Sequence, residues 1–177
     1  MYEIHQQRTV LVIPVPEADP LIQSFRAKHI PTPAAAMPPH ITVCGPFIPL
    51  EQVDERLQSA LTAFFASQPQ FQFTLQTVRR FPETGVLYLT PEPNEAFHSL
   101  RHVIQAHFPE APSDFHPNRV MHLTLARCAI EDMDRIEGEF YQECGNGLPI
   151  EATAREVCLF EKREGAWHKH ASFVLAG

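Results

Sequence analysis

The 177-residue sequence lacks an apolar run long enough to cross a membrane. Its first residues, Met1 to His5, also lack the charged-then-apolar pattern of a secretory signal. The four cysteines are widely separated and include no Cys-x-x-Cys pair, which argues against a disulfide framework and against a cysteine zinc site. We therefore expect a cytoplasmic protein with reduced thiols and no membrane partner.

Basic residues are in deficit, with 14 Lys and Arg against 21 Asp and Glu, for a formal net charge of −7. Proteins that bind long nucleic acid through its phosphates normally present a basic surface, because phosphate neutralisation supplies most of the affinity. The charge balance therefore argues against DNA or extended RNA as a partner. It still allows a nucleotide or an RNA end to bind in one local basic pocket.

Proline and histidine are abundant, at 17 and 10 residues, while the fractions of hydrophobic (44%) and charged (20%) residues are ordinary for a globular protein. The length suits one large domain or two small lobes with a substantial core.

A short motif occurs twice, as His40-Ile41-Thr42-Val43 and as His122-Leu123-Thr124-Leu125. Strict alternation of apolar and polar residues is typical of a strand with one buried face. Each motif therefore predicts an imidazole and a hydroxyl side by side on the exposed face of a strand.

The two motifs occupy matching places in a repeated order of strand, helix, motif strand, helix and strand. The first set comprises a strand at 8–15, a helix from Asp19, the motif strand at 40–44, a helix at 51–67 and a strand at 71–78. The second set comprises a strand at 85–90, a helix at 94–108, the motif strand at 120–126, a helix at 131–143 and a strand at 150–162. The segment 167–175 is expected to pair with that last strand.

This order predicts an α+β fold, a bilobal duplicated unit of two mainly antiparallel sheets with helices on the outer faces and a central cleft. We expect residues 1–177 to form one bilobal domain with sequence halves of roughly 1–82 and 83–177. An exchange of strands between the lobes is left open. A pseudo-two-fold relation would bring both His/Thr pairs to one site.

A His-x-Ser/Thr triplet is weak by itself, because His170-Ala171-Ser172 is a third match without similar surroundings. The first two matches differ from it in sharing the form His-apolar-Thr-apolar and in their equivalent positions. The alternative is that both histidines are core or edge residues bonded to their neighbours.

The wider motifs, Pro39 to Phe47 and His122 to Arg127, resemble the two motifs of the two-histidine (2H) phosphoesterase superfamily. The strand 86–89, with Pro91 and Pro93 after it, and the segment 157–173 resemble the branch of 2′-5′ RNA ligase-like proteins. The resemblance implies a bilobal fold and metal-independent chemistry on 2′,3′-cyclic phosphates or 2′-5′ phosphodiester linkages, without a cofactor.

Opening a cyclic phosphodiester with water requires one group to accept a proton and another to donate one, and imidazole suits both roles near neutral pH. We predict His40 and His122 as this acid–base pair, and Thr42 and Thr124 as donors to the non-bridging phosphate oxygens. The sequence does not decide which histidine is the acid.

Further candidates for substrate contact are Phe47, Arg127 and Trp167, each of which has packing or a structural ion pair as its alternative. Strand alternation predicts that Arg127 points away from His122 unless the strand ends there, and that Cys44 continues the face of His40. No metal is predicted, since His98 and His102 have zinc-like spacing but lack the Glu of a His-Glu-x-x-His motif.

The leading hypothesis is a phosphoric diester hydrolase acting on a small nucleotide or an RNA terminus with a cyclic phosphate, as a monomer. A non-catalytic module that binds a phosphate or an RNA end is one alternative. Reversible 2′-5′ RNA ligation is another, and it would be independent of ATP because no adenylation lysine motif is visible.

Overall fold

The computed structural model describes residues 8–31, 37–112 and 119–177, and it has the predicted α+β architecture. Within those ranges the strands are β1 (Arg8–Pro14), β2 (His40–Cys44), β3 (Phe71–Phe81), β4 (Val86–Glu92), β5 (Leu123–Arg127), β6 (Ile150–Ala154), β7 (Glu156–Arg163) and β8 (Ala166–Val174). The α-helices are α1 (Asp19–His29), α2 (Glu55–Ala66), α3 (Glu95–His107) and α4 (Met133–Cys144). Single 3-10 turns occupy Pro16–Ala18, Leu50–Gln52, Ile130–Asp132 and Gly145–Gly147.

Two four-stranded antiparallel sheets form the frame of the molecule. The first has the order β2-β1-β7-β8 and the second has the order β5-β4-β3-β6. Each motif strand, β2 or β5, is therefore the edge of its sheet. The two edges lie close together, with Cα atoms of β2 and β5 within 8 Å of each other.

Strands cross between the sequence halves. β3, from the first half, lies in the second sheet, while β7 and β8, from the second half, lie in the first sheet. The strand predicted at 150–162 is wrong as a single element, because the chain leaves the second sheet after Ala154 and enters the first at Glu156. The apolar pattern runs through this crossover without a Gly or Pro, so periodicity gave no sign of it.

A single main core joins both sheets and all four α-helices. β1 is buried on both faces, as its continuous apolar run predicts. Leu11 and Ile13 face the main core, whereas Val10 and Val12 face the cleft and pack in a small cluster with Met37. The helices thus cover one face of the sheets and leave the other to the cleft.

The helices also connect the two halves, since α1 packs against β5 and α3 packs against β2. The N-terminus of α2 is capped by Asp54, whose carboxylate accepts a hydrogen bond of 2.8 Å from the Leu57 amide. Over the described ranges, each helix is too short or too polar to cross a membrane.

Candidate active site

Each motif strand carries a β-bulge directly after its threonine. On β2, Thr42 pairs with Val12 and Cys44 pairs with Leu11, so Val43 is the additional residue. The residues on either side of a bulge depart from strict alternation, because two of them oppose one residue of the partner strand. Val43 and Cys44 are consequently both buried in the core, while Thr42 faces the cleft.

The bulge on β5 is equivalent. Thr124 pairs with Tyr88 and Ala126 pairs with Leu87, which leaves Leu125 as the additional residue. Leu125 and Ala126 are both fully buried, and the following residue, Arg127, turns back to the cleft.

The bulges correct two expectations based on strict alternation. Arg127 does not point away from the site, since it lines the same cavity as His122. Cys44 does not continue the face of His40, since it is 5% exposed and belongs to the main core, where burial raises its pKa to about 11. His122 itself lies one residue before β5 and not within it.

The two histidines and the two threonines line one cavity of about 340 Å³ between the sheets. Four arginines share its wall with them, and of the described residues that line it none is acidic; the charged, polar and aromatic members are Arg8, Arg26, His40, Thr42, Arg119, His122, Thr124, Arg127 and Trp167. In a chain with a net charge of −7, this cavity is therefore a concentrated basic site.

Both imidazoles are held in the same way. Nδ1 of His40 lies 2.8 Å from the Pro38 carbonyl oxygen, and Nδ1 of His122 lies 2.9 Å from the Val120 carbonyl oxygen. A carbonyl oxygen can only accept, so Nδ1 donates in each ring, and Nε2 is the nitrogen left for proton exchange. Among the described residues, neither Nε2 atom has a hydrogen-bond partner.

The surroundings of the two rings differ. His122 lies against Phe81 and Tyr88, with ring centroids 5.1 and 5.3 Å away. Burial lowers the pKa of His40 to about 4, and the charges of Arg26, His122 and Arg127 act in the same direction. Burial also lowers the pKa of His122, helped by Arg119 and Arg127. Both rings are thus mainly neutral at pH 7, and a bound anion would favour their protonation.

The threonine hydroxyls are available to a ligand. Thr42 and Thr124 are partly buried and line the cavity, and within the described ranges their side chains make no hydrogen bond. Each stands two residues after a histidine and directly before the bulge of its strand. This position suits a donor to an anion held between the two rings.

Two arginines that sequence reasoning missed brace the motif strands across the cleft. Nε of Arg26, on α1, donates a 3.1 Å hydrogen bond to the Thr124 carbonyl of β5. Nη1 of Arg119, just before the second motif, donates a 3.1 Å hydrogen bond to the Gly45 carbonyl, at the end of β2. Edge strands have carbonyls without a neighbouring strand, and each half supplies an arginine to the edge of the other.

Arg26 is 5% exposed and forms no ion pair with a described carboxylate. It also donates a hydrogen bond of 3.4 Å from Nη1 to the Met37 carbonyl. The sequence did contain a signal for it, because Arg26 shares the buried face of α1 with Ile22 and Phe25. A charged residue on an apolar helix face is a candidate for function.

Of the other two predicted substrate contacts, Trp167 lies in the cavity and Phe47 does not. Trp167 lines the cavity and also packs against the small cluster of Val10 and Val12. Phe47 is 1% exposed and packs edge-on against Phe108, with ring centroids 6.0 Å apart. Phe47 is therefore a core residue and does not belong to the site. Over the described ranges, no three His, Cys, Asp or Glu side chains are grouped so that they could hold a metal ion.

The fold and this site define a class, that of two-lobed 2H phosphoesterases with one His/Thr pair from each lobe. The family model of the 2′-5′ RNA ligase superfamily matches residues 14–166, and the chain belongs to that superfamily. Its functional class is accordingly phosphoesterase or RNA-ligase-like.

Individual relatives are distant. The protein named "Putative phosphoesterase GK0864" of Geobacillus kaustophilus is 22% identical over 175 residues, or 95% of each chain. The structure of E. coli LigT with 3′-AMP matches with a TM-score of 0.61 and 19% identity, over 97% of this chain and 99% of LigT. The TT0787 protein of Thermus thermophilus matches with a TM-score of 0.59 and 18% identity, over 96% and 98%. These structures share the fold with this chain.

Proposed function

We propose that the protein hydrolyses 2′,3′-cyclic phosphates of nucleotides or RNA ends, or 2′-5′ linkages, by metal-independent acid–base catalysis. The observation that carries this proposal is the shared cavity, in which two histidines and two threonines from equivalent strands meet an excess of arginine. The four cysteines are free thiols, which suits the reducing cytoplasm that we propose as its location.

In the proposed reaction, Nε2 of His40 accepts a proton from water as the water oxygen attacks phosphorus. The bond from phosphorus to one ribose oxygen breaks, and Nε2 of His122 donates a proton to that oxygen. We assign His40 as the base because its pKa of about 4 keeps it neutral. The negative phosphate raises the pKa of His122 when it binds, so that this ring can carry the proton. Reversal of the reaction exchanges the two roles.

The threonines and arginines would hold the phosphate. The hydroxyls of Thr42 and Thr124 donate to the two non-bridging oxygens, which fixes phosphorus between the rings. Arg26 and Arg127 add positive charge beside His40, and Arg127 and Arg119 add it beside His122. These charges stabilise the negative charge that builds up on the oxygens as water attacks.

The solved relatives give independent support for an anionic ligand. E. coli LigT has been crystallised with 3′-AMP, with ATP, with NADP+ and with phosphate, all of which contain phosphate groups. We propose that the corresponding cleft of this chain likewise accepts phosphate-bearing ligands.

The test is turnover of 2′,3′-cyclic mononucleotides, oligonucleotides ending in a cyclic phosphate, and 2′-5′ linked dimers, in the presence of EDTA. His40→Ala and His122→Ala should each lower kcat/KM roughly 10²- to 10⁴-fold, the usual contribution of a general acid or base. His102→Ala is the matched control, because His102 is exposed on α3, away from the cavity.

Four outcomes would contradict the proposal. Full activity of His122→Ala would remove the acid–base pair. Activity that disappears in EDTA and returns with Zn²⁺ or Mn²⁺ would indicate a metal enzyme. Saturable binding without product would indicate the non-catalytic module, and joining of a cyclic-phosphate end to a 5′-hydroxyl end would favour the ligase alternative.

A further inference from the structure

The cavity contains more positive charge than the proposed reaction needs. A cyclic phosphodiester carries one negative charge, yet four arginines line the cavity. Arg26, Arg119 and Arg127 all act on the histidine pair and are therefore close to the reacting phosphate. Arg8 lines the same cavity from the start of β1, on the strand that pairs with the first motif strand. It belongs to another part of the cleft.

The register of the first sheet shows where Arg8 lies. It is the first residue of β1, four residues before Val12, which pairs with Thr42. At roughly 3.3 Å per residue, its Cα is about 13 Å along the strand from the position opposite Thr42. This separation is too large for the oxygens around one phosphorus, and it also exceeds the spacing of neighbouring phosphates in a strand. The long side chain of Arg8 would have to span the difference to reach a phosphate one nucleotide step from the first.

Arg8 is the beginning of a row that crosses three strands. It pairs with Lys162 of β7, and Lys162 pairs with Trp167 of β8. Directly paired residues point to the same side of a sheet. Lys162 Nζ lies 6.0 Å from the centre of the Trp167 ring, and Trp167 lines the cavity. Arg8 and Lys162 are exposed and form no ion pair with a described carboxylate.

We propose that Arg8, with Lys162 beside it, binds a second phosphate of the substrate, and that Trp167 stacks on the nucleoside beyond that phosphate. The proposal rests on the proposed function, since it places the first phosphate at His40 and His122. In a nucleotide with a 2′,3′-cyclic phosphate, the second phosphate is the one on the 5′ oxygen. The preferred substrates are therefore RNA ends or 5′-phosphorylated nucleotides.

This assignment fits the chemistry of each group. An arginine guanidinium gives two parallel N–H donors to one phosphate, and it remains charged at every working pH. An indole face accepts any base, because base–aromatic stacking depends little on sequence. The arrangement predicts selection by the number of phosphates and weak selection by base.

The experiment compares three substrates with the same terminal adenosine 2′,3′-cyclic phosphate. In the first substrate, the 5′ oxygen of this adenosine is a free hydroxyl, and in the second it carries a phosphate. The third substrate is a dinucleotide, in which a 3′-5′ phosphodiester joins a further adenosine to the same 5′ oxygen. Wild type should hydrolyse the second and third with kcat/KM at least about tenfold above the first, as expected for a charged hydrogen bond. Arg8→Gln should lower kcat/KM for these two about tenfold more than for the first.

Arg163→Gln is the matched control, because it removes an equal charge from the neighbouring position of β7, on the opposite face of the sheet. It should keep the wild-type preference. Trp167→Leu, which keeps an apolar side chain against the small cluster, should remove only the advantage of the dinucleotide over the 5′-phosphorylated nucleotide. Circular dichroism checks that each variant is folded.

The outcomes separate this inference from the function on which it rests. Equal kcat/KM for all three substrates would overturn the second phosphate site while the hydrolase proposal stands. A wild-type preference that survives Arg8→Gln would overturn the role of Arg8, and a dinucleotide advantage that survives Trp167→Leu would overturn stacking. No turnover of any of the three would overturn both proposals.

Discussion

Replacing Arg26 by Met tests whether the buried guanidinium serves the reaction or only the fold. Arg26 is 5% exposed, lines the cavity, and donates to the Thr124 and Met37 carbonyls at 3.1 and 3.4 Å. Methionine keeps an unbranched apolar stem but removes the charge and both hydrogen bonds. Arg26→Lys is the partner variant, since it keeps the charge but loses the planar set of donors.

General energies of hydrogen bonds and buried charges give a magnitude for each effect. Hydrogen bonds to charged groups contribute about 1.5–3 kcal/mol, so losing a contact between Arg26 and the phosphate should lower kcat/KM roughly 10- to 100-fold. Stability should change less. Two carbonyls lose a donor, at about 1–3 kcal/mol for each that stays buried and unbonded, but the cost of burying a cation is also removed. We expect a net loss of about 1–2 kcal/mol in the free energy of unfolding.

The pH profile distinguishes an electrostatic role from a structural one. Arg26 is one of the positive charges that hold the pKa of His40 down at about 4. Its removal should raise that pKa, because the protonated ring then meets less repulsion. The acidic limb of kcat/KM, which reports protonation of the free base, should therefore move to higher pH in Arg26→Met. It should stay in place in Arg26→Lys.

The assay is kcat and KM for a cyclic mononucleotide between pH 3.5 and 8, with urea unfolding of the same variants. Arg56→Met is the control for loss of a surface charge, because Arg56 is exposed on α2. Arg26→Met with kcat/KM within twofold of wild type would refute the role in phosphate binding. A lower kcat/KM with an unchanged acidic limb would refute the electrostatic coupling to His40 and leave only the bracing of Thr124.

Two further predictions concern groups whose pKa the fold shifts. For wild type, kcat/KM should fall at acid pH, near pH 4, as His40 gains a proton. It should fall again at higher pH as His122 loses its proton, and this second fall should lie below pH 6.5 because the pKa of His122 is lowered. The kcat profile should lie at higher pH, since bound phosphate favours both protonated rings, and flat profiles from pH 5 to 9 would contradict the pair. Cys44, 5% exposed with its pKa raised to about 11, should resist iodoacetamide at pH 8 while the partly exposed Cys128 reacts first. Peptide mass spectrometry measures both sites, and early labelling of Cys44 in the native protein would show that the bulge on β2 is misplaced.

The sequence predicts those features that depend on local periodicity. The alternation around Thr42 and Thr124 specifies short strands with one polar face, and the helical periodicity after each motif specifies α2 and α4. The repeated order of these elements then predicts two similar lobes and a common cleft. Each of these inferences uses only neighbours along the chain and the rule that apolar faces are buried.

Features that depend on strand pairing were not predictable in this way. Arg26 lies on a helix of the first half, and its partner, the Thr124 carbonyl, lies 98 residues later in the chain. The row of Arg8, Lys162 and Trp167 exists only because the first strand pairs with one from the end of the chain. Periodicity describes the faces of each element, but register and strand order decide which faces meet.

The paired bulges explain how two equivalent motifs produce a site that is not symmetric. After each bulge, the third residue beyond the threonine returns to the cleft: Gly45 directly after β2, and Arg127 at the end of β5. A side chain at Gly45 would begin 2.9 Å from Cγ1 of Val10, so this position is closed to an arginine unless Val10 moves. The equivalent position on β5 is open, and Arg127 lowers the pKa of both histidines from that side. Arg127 thus acts on both rings, whereas Arg26 acts on His40 and Arg119 acts on His122. Two similarly held rings therefore have different neighbours, which gives a duplicated fold a physical basis for assigning proton acceptor and donor to different histidines.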